Sequence, residues 1–207
     1  MIPALWAGAA GCLLFVVVFL VDGLTRPGYD PLRHPVSALA LGPRGWIQTV
    51  DFLVCGLLVA VSSVAVPWAV TSGSWAVWPL SAAIGLFGVG LLLSGVFRMD
   101  PMWGYPPGAL EGTPEETGRA HRIHDNLGAV VFFSLPAAAL IAAFALQDPV
   151  WRWGSGVTGV VVGAGTLVFA NAWEKEAPNA GLIQRVTLII GLGWLGLLLG
   201  AGALGAL

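Results

Sequence analysis

Charge is what this chain has least of. Asp, Glu, Lys and Arg make up 10% of its 207 residues, against about 25% in an ordinary soluble domain, so the composition excludes the soluble globular class. There is no basic excess either. The net charge is −2, which gives no electrostatic footprint for nucleic acid. Cysteine is almost missing: Cys12 and Cys55 both fall in apolar runs, where they read as small packing residues and not as a disulfide framework or metal cluster. No catalytic-serine motif, phosphate-cradling glycine loop, CxxC pair or clear internal repeat is present, so neither a cofactor nor transport by inverted halves is expected.

Apolar residues fill the space that charge leaves, at 57% of the chain and a mean hydropathy of +0.85. A spanning helix needs roughly 20 apolar residues, and the pattern predicts an all-α integral membrane protein, one six-helix domain over residues 1–207 with ordered polar loops on one face. The helices are expected at about 3–22, 45–69, 76–97, 114–146, 150–172 and 182–205 by hydropathy and span length. Residues 1–21 carry no charge, no basic leader and no small-residue cleavage site, which predicts an uncleaved first helix. Pro67 and the turn formers Thr71, Ser72, Gly73 and Ser74 divide the uncharged stretch 52–97 into two spans. Thr113-Pro114-Glu115-Glu116 matches a capping box and predicts a helix start there. Gly159/Gly163 and Gly196/Gly200 have GxxxG spacing, which suits close helix packing in lipid.

The polar residues cluster. Three connections, 23–44, 98–120 and 173–182, share one face, and that face carries eight of the nine basic residues, with only Arg152 opposite. The positive-inside rule then predicts a multi-pass protein of the cell membrane, with that face cytoplasmic and both termini outside. Most of the ten tryptophans fall near predicted span ends, as an interfacial belt requires. Pro27, Pro31, Pro35, Pro101, Pro106 and Pro107 lower the entropy that the first and central connections lose on ordering. The two are expected to fold together as a cap. Tyr29, Asp30 or His34 would contact the segment 98–124, Tyr29, Trp103 or Tyr105 would be buried, and Asp30 or Asp100 would pair with Arg33, Arg98 or Arg122.

Several residues could carry chemistry. Asp51 opens an uncharged run, where an ionisable group costs about 2.5–3.5 kcal/mol at the bilayer centre and so faces the bundle with a partner; it reads as an interfacial acid bonded to Arg or backbone, or as a proton donor at a cavity mouth. His121, His124 and Asp125 can share one helical face, as solvated or ion-paired residues, as acid–base or ligand groups, or as part of a metal set with His34, Asp100 or Asp51. With no second tight ligand pair, no metal is assigned. Arg98, Arg122 and Arg185, like Arg33 and Arg44, are snorkelling anchors or bind a phosphate or carboxylate headgroup, with Gln184-Arg185 the favoured pair.

Three motif groups carry a resemblance. They are Arg26-Pro-Gly-Tyr29-Asp30 with His34-Pro-Val-Ser37 and Leu41-Gly-Pro-Arg44-Gly-Trp46; Asp100-Pro with Gly104-Tyr105-Pro-Pro-Gly108 and the Gly118–His121 stretch; and Gly181-Leu-Ile-Gln184-Arg185. With them the chain resembles the bacterial and archaeal multi-pass family known as domain of unknown function 998, a likeness that implies no activity. More distantly, Pro35-x-Ser37-x-Leu39 and a His opening the fourth helix are similar to the Frag1, damage-regulated autophagy modulator and Sfk1 group. Some of those are linked to lipid regulation, though Ser37-Ala-Leu lacks the acidic residue they often show.

The expected function is binding of a membrane lipid or small amphiphile in a cavity on the charged face. Asp51, Asp100, His121, Arg98 and Arg185 would line it, with Tyr29, His124 and Gln184 as further ligand contacts. The alternative is an intramembrane enzyme acting on a lipid or isoprenoid through Asp51, Asp100 and His121 or a metal. A helper subunit that only packs against a partner is a third possibility.

Overall fold

Each of the six long helices in the computed structural model is apolar and long enough to cross a bilayer. The structure describes residues 1–71 and 73–207; Ser72, one of the expected turn formers, lies outside the described residues. The spanning helices are α1 (Ile2–Thr25), α2 (Gly45–Ser63), α4 (Val77–Val96), α5 (Arg119–Ala145), α6 (Pro149–Glu174) and α7 (Ala180–Ala203), with a 3₁₀ turn at Val36–Ala40 and a short α3 at Val66–Ala69. Consecutive spanning helices pack in pairs, and α7 returns to pack on α1, so the six close into a ring. Contact across the ring is slight.

Close helix approach has specific residues behind it. Gly56 of α2 and Gly88 of α4 face each other so tightly that a Cβ on Gly56 would lie 2.4 Å from the Leu92 nitrogen, and one on Gly88 2.4 Å from the Ala60 nitrogen. The GxxxG residues also stand at contacts: Gly159 against Leu140, Gly196 against Cys12. Cys12 and Cys55 are buried free thiols.

Two helix boundaries differ from expectation for local reasons. The second span was expected to run to residue 69, but α2 stops at Ser63 and α3 follows separately. Pro67 cannot donate to the carbonyl of Ser63, and that carbonyl instead accepts from Ser81 Oγ at 2.7 Å. The fourth span was expected from 114, but α5 begins at Arg119 with Gly118 as its N-cap. The capping box fails because both of its Thr113 groups are taken. Thr113 Oγ1 accepts from Trp103 Nε1 at 3.1 Å, and its N–H, which Glu116 would have bonded, donates to Glu176 Oε1 at 3.0 Å. Among the described residues no side chain caps the first-turn N–H groups; Asp100 fixes the N-cap residue instead, its Oδ2 accepting from the Gly118 N–H at 2.6 Å.

The three charged-end connections meet. His34 bonds Trp103, Arg33 bonds the Glu111 carbonyl, Thr113 bonds Glu176, and the Gly181 and Leu182 N–H groups bond the Arg33 and Leu32 carbonyls. They form one ordered cap over the end of the ring.

Candidate functional site

The cap is built around arginines that face inward. Arg185, on the second turn of α7, donates from Nη1 to the Pro31, His34 and Gly181 carbonyls at 2.7, 2.9 and 3.0 Å, and from Nη2 to the Tyr29 hydroxyl. Its guanidinium carbon also lies 5.4 Å from the centre of the Tyr29 ring. Tyr29 in turn donates toward the His34 and Pro35 carbonyls at 3.1 and 2.9 Å. Burial pushes its phenol up to about 12, against the pull of Arg185, so it remains a donor at neutral pH.

His34 joins the first connection to the central one. Its Nδ1 accepts from the Asp30 N–H and its Nε2 donates to the Trp103 carbonyl, both at 2.9 Å. That arrangement uses both ring nitrogens of the neutral form, and burial holds the ring below the ordinary value of 6.5, in spite of the Trp103 carbonyl and Asp30. The Tyr29, His34 and Tyr105 rings pack against one another, tilted or edge-on, with centres no more than 5.4 Å apart. Trp103 is 1% exposed and has φ of +57°, a backbone region costly for a bulky residue. Its N–H bond to Gly112, its carbonyl bond from His34 and its indole bond to Thr113 hold it there.

The expected cap is therefore present, with Tyr29, Trp103 and Tyr105 all buried, but its ion pairs are different ones. Asp30 accepts from the Leu32 N–H, Asp100 accepts from the Gly118 N–H just ahead of α5, and Arg122 donates to the Thr117 carbonyl. The buried pairing is Asp22 with Arg26, joined by Arg44 at 2.5 Å. Arg26 also bonds the Leu41 and Arg44 carbonyls and the Tyr105 hydroxyl. Asp22 was not among the sequence candidates, although its i,i+4 spacing to Arg26 was a readable signal.

The other candidates separate into two places. Asp51 is buried on α2 with partners from its own helix, Gln48 Nε2 at 3.1 Å and Cys55 Sγ at 3.2 Å, where an arginine or backbone partner was expected. Gln48 Oε1 beside it is buried without a partner. His121 accepts the Asp100 N–H on Nδ1 at 3.0 Å and faces Asp125 from Nε2 at 3.2 Å. His124 bonds the Phe97 carbonyl through Nδ1 at 2.7 Å. A carbonyl only accepts, so Nδ1 carries a proton, and in the neutral ring Nε2 keeps the lone pair. Arg98 is exposed. Among the described residues no group of three His, Cys, Asp or Glu side chains is assembled to hold a metal.

Beneath the cap, inside the ring, lies a cavity of about 350 Å³. All six spanning helices reach it: Phe15, Phe52, Leu91, Phe132, Phe169 and Leu188 supply one apolar wall each. Val36, Ser37 and Met99 roof it from the cap side, and His124, Asp125, Ser94, Thr166 and Gln184 add polar groups. Of the sequence candidates, His124, Asp125 and Gln184 border this space; Asp51, Asp100, His121, Arg98, Tyr29 and Arg185 stand outside its lining. Asp125, Ala129, Phe133 and Ala170 belong to the lining and are also exposed, so the cavity reaches the surface between α5 and α6. Gly128 stands in this opening, where a Cβ would meet nothing within 4 Å.

A protein-family profile described as "Protein of unknown function (DUF998)" matches residues 9–201. The chain belongs to that family. No curated protein and no solved structure matches it, and the more distant likeness to the Frag1, damage-regulated autophagy modulator and Sfk1 group gains no support.

Proposed function

We propose that this DUF998 protein, a multi-pass membrane protein, holds a lipid or small amphiphile in the cavity under its cap. The observation that carries this is an apolar space reached from all six helices and open sideways between α5 and α6. Its volume falls within the roughly 300–1,000 Å³ of small-molecule sites, and its few polar groups on apolar walls have the composition of such sites. Gly128 lies nine residues beyond Arg119, or ~14 Å along the helix at 1.5 Å per residue. That depth suits lateral access from the hydrocarbon. The charged cap is assigned to the cytoplasmic side of the cell membrane, since it gathers eight of the nine basic residues and the positive-inside rule follows Lys and Arg.

Gly128→Trp tests the proposal with little damage to the fold, because the new side chain enters open space and replacing Gly favours the helix. Both proteins are extracted in polymer-bounded native bilayer and their retained lipids measured by mass spectrometry. The wild type should keep an enriched species at near one per protein, and the variant should lose it at unchanged melting temperature. Equal profiles for the two would defeat the proposal.

A further inference from the structure

We infer that the occupant is a single-chain lipid alcohol, an amphiphile with an uncharged hydroxyl headgroup, and not a phosphate-bearing lipid. This deepens the cavity proposal above and rests on it. Sequence alone pointed the other way, since five arginines near the charged face offered a phosphate site.

Most of these arginines are engaged within the protein; Arg98 is exposed, and it and Arg185, whose buried Nε alone lacks a partner among the described residues, stand outside the cavity lining. Arg185 is bonded to three carbonyls and Tyr29. Arg26 and Arg44 are held by Asp22, Arg33 by Glu111, and Arg122 by the Thr117 carbonyl. Among the described residues no Arg or Lys borders the cavity, whereas Asp125 does. Three helix N-termini, those of α2, α5 and α7, come to this end, and each could otherwise attract an anion. At α2 the Gly45 and Ile47 N–H groups are bonded to the Gly42 and Arg44 carbonyls. The α5 end is occupied by the Asp100 carboxylate. At α7, the Gly181 and Leu182 N–H groups are bonded to the first connection. An anionic headgroup would meet one carboxylate and no cation.

What remains at the wall is neutral hydrogen-bonding chemistry of both kinds. His124 has its Nδ1 proton on the Phe97 carbonyl, leaving Nε2 to accept. Gln184 accepts the Val36 N–H through Oε1 at 2.7 Å, leaving its NH₂ group to donate. A hydroxyl both donates and accepts, so it complements this pair. A cationic headgroup is a poorer match, because Gln184 presents N–H to it and Asp125 is already paired with His121. The 350 Å³ volume, near the lower end for small-molecule sites, suits one chain in place of two.

The test uses full-length protein in zwitterionic nanodiscs with a tritiated long-chain alcohol. Competitors carry the same chain ended by hydroxyl, phosphate, trimethylammonium or methyl. The alcohol should compete at least about tenfold better than each of the others, the ratio that loss of a net hydrogen bond gives. Gln184→Glu, which keeps an acceptor for Val36 and loses the donor, should weaken alcohol binding by a similar factor. Phosphate or trimethylammonium competing as well as the alcohol would overturn the headgroup assignment and leave the cavity proposal standing. No saturable binding by any of them, or binding unaffected by Gly128→Trp, would instead remove the cavity proposal and this inference with it.

Discussion

Replacing Arg185 by alanine separates a structural arginine from a ligand-binding one. The side chain is buried, 5% exposed, and its loss leaves the Pro31 and His34 carbonyls and the Tyr29 hydroxyl short of a donor. Leaving a buried polar group without its partner costs roughly 1–3 kcal/mol, so stranding these groups together should cost about 3–5 kcal/mol, a large share of the ~5–15 kcal/mol that holds a domain folded. At ~2–4 °C per kcal/mol for a chain of this size, the apparent melting temperature should fall by roughly 6–20 °C. Limited proteolysis should also begin cutting the segment between Arg98 and Arg119, because the cap loses its tie to α7. The assay is intrinsic-fluorescence melting in one detergent, with Arg185→Lys as companion; lysine keeps the charge but not the paired geometry and should recover only part of the loss. An Arg185→Ala protein that melts like the wild type, resists protease equally and has lost its bound lipid would refute the structural assignment of this residue.

Three other outcomes follow from the same contacts. His34 is held below its ordinary value of 6.5 by burial, so the unfolded state binds a proton more readily and the cap is at full stability above about 6.5, losing it as pH falls toward the lowered folded value; hydrogen-exchange protection of residues 98–118, measured against the intrinsic rate at each pH, should fall below that pH, and protection unchanged from pH 8 to 5 would contradict it. Asp22→Ala strands Arg26 at a buried site beside the half-exposed Arg44 and should cost roughly 3–5 kcal/mol in a melting assay, whereas Asp30→Ala, in an exposed turn, should cost about 1 kcal/mol or less. A reporter fused after Leu207 should behave as translocated and one inserted near Gly108 as cytoplasmic; the reverse pattern would overturn the assigned orientation.

The spans were legible because uncharged runs and their breaks are a property of local sequence. The cap was legible too, since prolines and turn residues restrict the backbone before any tertiary contact forms. Thr113 shows where local chemistry stops being enough: its capping box is intact in sequence, but Trp103 and Glu176 reach it from elsewhere in the chain. Arginines near the charged face invited a headgroup role, because sequence displays charge and not the carbonyls that consume it. The cavity itself left almost no trace. Phe132 and Phe169 would be equally at home facing lipid or an internal space, so hydropathy cannot tell the two apart. Only His124, Asp125 and Gln184 hinted at it, being polar groups one or two turns inside apolar helices.

A high-resolution map of the full-length protein in lipid nanodiscs tests the central claim most directly. Elongated density should run from beside His124 and Gln184 down between Phe132, Phe169 and Leu188, with its polar end at the cap and its tail toward the opening at Gly128. A cavity filled by inward rotation of Phe132 and Phe169, with no density other than protein, would contradict it.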